Sequence, residues 1–124
     1  MTRDPLKVLF IGNSYTTRND LPGLITKYLA IGRELGATVV PVGLAWETFG
    51  RTHTGPPLYD RDQSHPSVAG SYLAACVFLA TLFGSHPVGH RGDVSGLDPA
   101  DRERLQAVAR DVTAAFAHAG FERA

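Results

Sequence analysis

The chain has 124 residues, 44% hydrophobic and 19% charged, which fits one folded domain with one core and excludes a disordered tail or a pair of ordinary domains. Twelve basic and twelve acidic side chains cancel, so there is no electrostatic footprint for nucleic acid or for an anionic membrane. The single cysteine, Cys76, excludes a disulfide framework within the chain.

The opening residues, MTRDPLKV, contain no basic segment, apolar h-region or small-residue cleavage site, so a cytoplasmic location is the default expectation. Lys7 to Gly12 is apolar on both faces and predicts a strand of a parallel sheet covered on two sides. Asn13, Ser14, Tyr15, Thr16 and Thr17 follow at once. From Asp20 the spacing changes: Leu21, Leu24, Ile25, Tyr28, Leu29 and Leu35 fall on one helical stripe. Asn19 or Asp20 can cap this helix and Gly36 can end it.

Thr38 to Leu44, TVVPVGL, is β-branched and short and predicts a second strand, with Pro41 marking an edge or a bulge. Strand, helix, strand then form a right-handed crossover with parallel strands. Ala45 to Ser64 has no periodicity and predicts a long surface loop. Pro66 opens a helix to about Phe83, with Tyr72, Leu73, Cys76, Val77, Leu79 and Phe83 on its buried face and Gly84 as its stop. Its apolar run, Tyr72 to Phe83, is too short to span a bilayer, so no membrane segment is expected. After a loop from Ser85 to Leu97, Asp98 and Pro99 start a last helix to about His118, striped by Leu105, Val108, Val112 and Phe116.

Ligands of an open parallel sheet bind at the carboxyl ends of its strands, which is where Ser14 stands. The plainer reading is that Asn13, Ser14, Thr16 and Thr17 make only turn and cap hydrogen bonds. A nucleophilic serine needs a base, and the base an orienting group. In LYDRDQSHPS, Asp62 lies three residues before His65, at the edge of the predicted helix, so one turn can aim the carboxylate at an imidazole nitrogen and leave the other for the serine. Asp60 is a near alternative to Asp62, and these two with His65 could form a hard-metal site. No further ligand cluster accompanies them, so no metal and no cofactor are assigned. His53, His86, His90 and His118 read as solvated, Cys76 as a buried small hydrophobe, and Trp46 and Glu47 either as pocket lining or as cover for a sheet edge.

Taken together, GNSYT after the first strand and D-x-x-H-P before a late helix resemble the first and last sequence blocks of the SGNH/GDSL hydrolase superfamily. PVGLAWE, LYDRDQSHPSVAGSYLAA and LFGSHPVG strengthen the resemblance, which covers about Lys7 to Leu29 and Gly36 to Phe116. It implies a three-layer α/β/α, flavodoxin-like fold with a reduced parallel sheet. It also implies an esterase acting on a small-molecule ester through Ser14 as nucleophile, His65 as base and acid, and Asp62 as orienter. Asn13, where aspartate is common in the family, Tyr15 and Trp46 would lie against the substrate.

The central family blocks, which donate hydrogen bonds to the oxyanion from a glycine and an asparagine, have no counterpart: the only asparagines are Asn13 and Asn19. Each such donor is worth about 2.7 to 4 kcal/mol in a transition state. Two readings therefore stay open, a slow serine hydrolase and a non-catalytic binding module of the same ancestry. A narrow sheet would also leave edges that predict strand pairing between chains, that is, a homo-oligomer.

Overall fold

The computed structural model describes residues 8–10, 21–84, 88–89, 91–92 and 94–122. Pro41 decides how the middle of the chain folds. It has no N–H to offer a ladder, and strand β2, Thr38–Val40, stops before it. Strand β1, Val8–Phe10, pairs with β2 in parallel, with Val8 opposite Thr38, Leu9 opposite Val39 and Phe10 opposite Val40. Between them in the chain runs helix α1, Leu21–Leu35. Gly36 ends it at φ +65°, where the backbone N–H groups of Gly36 and Ala37 reach the carbonyls of Arg33 and Gly32 at 3.2 and 2.8 Å, a left-handed cap that glycine adopts without a Cβ clash.

Immediately after Pro41 the chain turns into helix α2, Val42–Thr52. Val42, Ala45 and Phe49 are buried and Trp46 half-buried, the i, i+3, i+4, i+7 spacing of a helical stripe. The stretch TVVPVGL is thus a strand of three residues joined to a helix, and the expected loop is helical from Ala45 to Thr52.

Helix α3, Val68–Phe83, starts two residues later than Pro66, which instead bridges to Tyr59. The cap is Ser67, whose hydroxyl accepts from the Gly70 N–H at 3.1 Å and donates to the Pro57 carbonyl at 2.7 Å. Gly84 closes the helix at φ +61°. Helix α4, Pro99–Glu122, is capped by the Asp98 carboxylate, which accepts from the Asp101 N–H at 2.9 Å.

The core lies between α3 and α4, which share the largest interface, with α2 laid against both. Leu73, Val77, Leu105 and Ala109 have no exposed surface. Phe83, expected on the buried face, is 74% exposed at the last position of α3. One polar side chain, Gln106, is buried inside the seam. Its amide donates to the Tyr72 hydroxyl at 2.8 Å and accepts from the Gly89 N–H at 3.1 Å, so burial leaves these groups hydrogen-bonded.

This architecture corrects the expected fold. The chain is mostly helical, four helices among the described residues, and strand pairing is confined to three residues on each side. Among the described residues no three-layer α/β/α, flavodoxin-like sheet is formed. The physical reason is that Pro41 ends the second strand while the apolar stripe beyond it has helical period, so helix against helix buries the core that a sheet was expected to organise. Among the described residues no helix is long and apolar enough to cross a membrane.

Candidate active site

Residues 58 to 67 form a tethered excursion between α2 and α3. Ser67 N–H donates to the Leu58 carbonyl at 2.9 Å and Asp60 N–H to the His65 carbonyl at 2.8 Å, with the Tyr59–Pro66 bridge between them. The tip turns through Gln63, whose φ of +58° is left-handed and whose N–H donates to the Asp60 carbonyl at 2.9 Å. The loop therefore has one geometry at its base, and it carries Asp62 and His65 at its end.

One Asp62 oxygen accepts from the backbone N–H groups of Ser64 at 2.9 Å and His65 at 3.0 Å, while the other meets His65 Nδ1. The short side chain is suited to such a turn, because it replaces backbone partners within three residues. Both side chains face water: His65 is 76% and Asp62 47% exposed. The His65 backbone N–H, then the imidazole, then the Ser64 N–H hold the Asp62 carboxyl well below the usual carboxylate range. The same hydrogen bond, followed by the carboxylate's charge, raises the His65 imidazolium above its ordinary 6.5. Helix α3 begins beyond Ser67 and does not reverse this shift. Because Nδ1 is engaged, Nε2 is the nitrogen left to exchange a proton with a substrate or a nucleophile.

Asp60, the near alternative, gives its backbone rather than its carboxylate to His65 and adds only a weak charge effect. Among the described residues no three His, Cys, Asp or Glu side chains gather as metal ligands. Asn13, Ser14 and Tyr15 lie outside the described residues, as do Asn19, Asp20, His86 and His90. Cys76 is buried, and desolvation pushes its thiol up to about 11, which leaves it protonated at neutral pH.

Trp46 stands beside the excursion, on α2. Its ring meets Tyr59 edge to face, centroids 4.7 Å apart. It also lies over Gly70 so closely that a Cβ there would sit 2.8 Å from Cζ2 of Trp46 and 2.2 Å from the Leu58 carbonyl oxygen. Glycine at position 70 thus lets α2, the excursion and the first turn of α3 meet. Together the second half of α2 and residues 53–59 enclose an open pocket of about 400 Å³ lined by Trp46, Glu47, His53 and Tyr59.

His53, expected to be solvated, is half-buried and stacked flat on Phe49, centroids 4.5 Å apart at 6°. The Thr52 hydroxyl donates to the Thr48 carbonyl at 2.7 Å and lies within hydrogen-bond distance of His53 Nδ1 at 2.8 Å, so Nε2 is the ring nitrogen left for another partner. The pocket-lining reading of Trp46 and Glu47 holds, but His53 and the helical wall are not foreseen, because the β-branched run before Pro41 predicts a strand followed by a loop. The signal that could have found that wall is the stripe Val42, Ala45, Trp46, Phe49. No family model, curated protein or solved structure matches the chain.

Proposed function

We propose that the protein is a slow serine hydrolase of small acyl or acetyl esters, with Ser14 as nucleophile, His65 as general base and acid, and Asp62 as its orienter. The observation that carries this reading is the Asp62–His65 pair: a carboxylate held by two backbone N–H groups fixes Nδ1 and leaves Nε2 in the open. That is the arrangement a serine hydrolase needs of its base. The proposal draws on the pair and on the GNSYT motif, and not on the overall fold.

In the first half of the reaction, His65 Nε2 takes the Ser14 proton as Oγ attacks the ester carbonyl. The tetrahedral adduct collapses to an acyl-serine, and the alcohol leaves with the proton that His65 returns. A water activated by the same nitrogen then releases the acid. The raised imidazole places the working, neutral base above pH 6.5. The lack of glycine and asparagine oxyanion blocks makes the reaction slow.

The test is intact-mass analysis after treatment with a fluorophosphonate, on the wild-type chain and on Ser14→Ala and His65→Ala. A single adduct on Ser14, absent from both variants, supports the proposal. A folded wild-type chain that takes no adduct overturns it, and the alternative of a non-catalytic binding module then stands.

A further inference from the structure

The pocket beside α2 has a distinctive chemistry of its own. Flat apolar faces come from Trp46, His53, Pro56, Pro57 and Tyr59. The Glu47 carboxylate accepts, Arg51 donates, and the Thr54 hydroxyl and His53 Nε2 add two further polar groups. Glu47 and Arg51 pair with each other at 3.8 Å across one turn of helix, so the rim carries polar groups of both kinds without a surplus of charge. At about 400 Å³ the space lies in the range of small-molecule sites, roughly 300 to 1,000 Å³.

Two further atoms bear on what fits. Trp46 Nε1 and Tyr59 Oη are shut off from solvent and have no hydrogen-bond partner, although buried polar groups are normally paired. A ligand oxygen that reached either atom would therefore give it a hydrogen bond it lacks.

We infer that this pocket binds a neutral saccharide. A sugar ring offers flat C–H faces to the aromatic and proline walls, and its hydroxyls both donate and accept, so it matches Glu47, His53, Arg51 and Thr54 at once. An alkyl chain would desolvate His53 Nε2 and the Thr54 hydroxyl without giving them a partner, which costs free energy. A charged ligand would have to compete with an ion pair already made. The site consists of α2 and residues 53–59, and the inference stands whether or not Ser14 is ever acylated.

Trp46 is the sole tryptophan of the chain, so its emission reports on this pocket directly. The full-length protein is titrated with cellobiose, maltose and N,N′-diacetylchitobiose, with hexan-1-ol as the apolar control, and calorimetry repeats each titration. A saturable response to at least one disaccharide and none to the alcohol is expected. His53→Phe keeps a ring to stack on Phe49 but has no Nε2, and Tyr59→Phe lacks only the hydroxyl. Each should weaken binding about two- to tenfold, the worth of one hydrogen bond, with helical circular dichroism unchanged. Should one variant not fold, the other carries the comparison. Silence toward all three disaccharides into the tens of millimolar, preference for hexan-1-ol, or full wild-type affinity in every folded variant would each overturn the inference.

Discussion

Leu105 and His65 stand at opposite extremes of this chain. Leu105 has no exposed surface and sits in the seam where α3 and α4 bury most of the core. His65 is three-quarters exposed, on an excursion shaped by hydrogen bonds to an aspartate and to the backbone. The seam holds stability through non-directional burial of many side chains. The excursion holds geometry through a few directional bonds, each weak in net terms because water competes for the same groups. Stability and the proposed chemistry thus fall on separate parts of the molecule, and substitutions should separate them.

The largest effect is expected in the seam. Leu105→Ala should lower unfolding stability by about 2–5 kcal/mol, through lost transfer free energy and the cavity left behind. Urea denaturation followed by circular dichroism measures it, and a loss well under 1 kcal/mol would show that the seam can collapse around the gap. The mutation should leave the His65 titration midpoint where it is, because no bond of the excursion is touched.

An intermediate effect is expected where the two regions join. At an ordinary helical position Gly70→Ala would stabilise by about 1 kcal/mol. Here the new Cβ would come within 2.2 Å of the Leu58 carbonyl oxygen, which is backbone, and 2.8 Å of Trp46. Overpacking should win, with a net loss of about 1–3 kcal/mol and a shift in Trp46 fluorescence. A stabilised variant with unchanged emission would mean that residues 57–59 are not held against α3.

The smallest effect on stability, and the sharpest on chemistry, belongs to Asp62→Asn. The Asp62 pKa is depressed, so its contribution is present above the ordinary 3.8 and is lost as pH falls through the lowered value. The His65 pKa is raised, so its contribution is complete below 6.5 and is lost as pH rises through the folded value. The excursion is best held between these limits. By NMR, the His65 ring protons of the wild-type chain should titrate above pH 6.5, and Asp62→Asn should bring that midpoint down while the urea midpoint hardly moves. An unchanged His65 midpoint would show that the pair does not persist in solution. On the proposed mechanism, with the neutral imidazole as base, fluorophosphonate labelling of the wild-type chain should speed up with pH through the same raised midpoint.

Part of this organisation was legible from residue order. The Asp62–His65 pair was readable because a spacing of three closes within a single turn, where local geometry leaves little choice. Gly36 and Gly84 were readable as stops because each sits where a left-handed residue ends a helix. Helix α2 was not read, although its stripe is present, because a β-branched run before Pro41 suggested one long strand. Gln106 is not part of the apolar stripe of α4. Its burial depends on Tyr72 and Gly89, 34 and 17 residues away.

By itself, then, the sequence determined the local pieces: three of the four described helices, the glycine stops of α1 and α3, and the carboxylate–imidazole turn, all set by interactions within a few residues. The tertiary structure alone decided that helices and not a sheet make the core, that Gly70 must stay small beneath Trp46, and that His53 faces a pocket. Those outcomes depend on which surfaces meet. Burial is non-directional and acts between segments distant in the chain, so no local pattern encodes it.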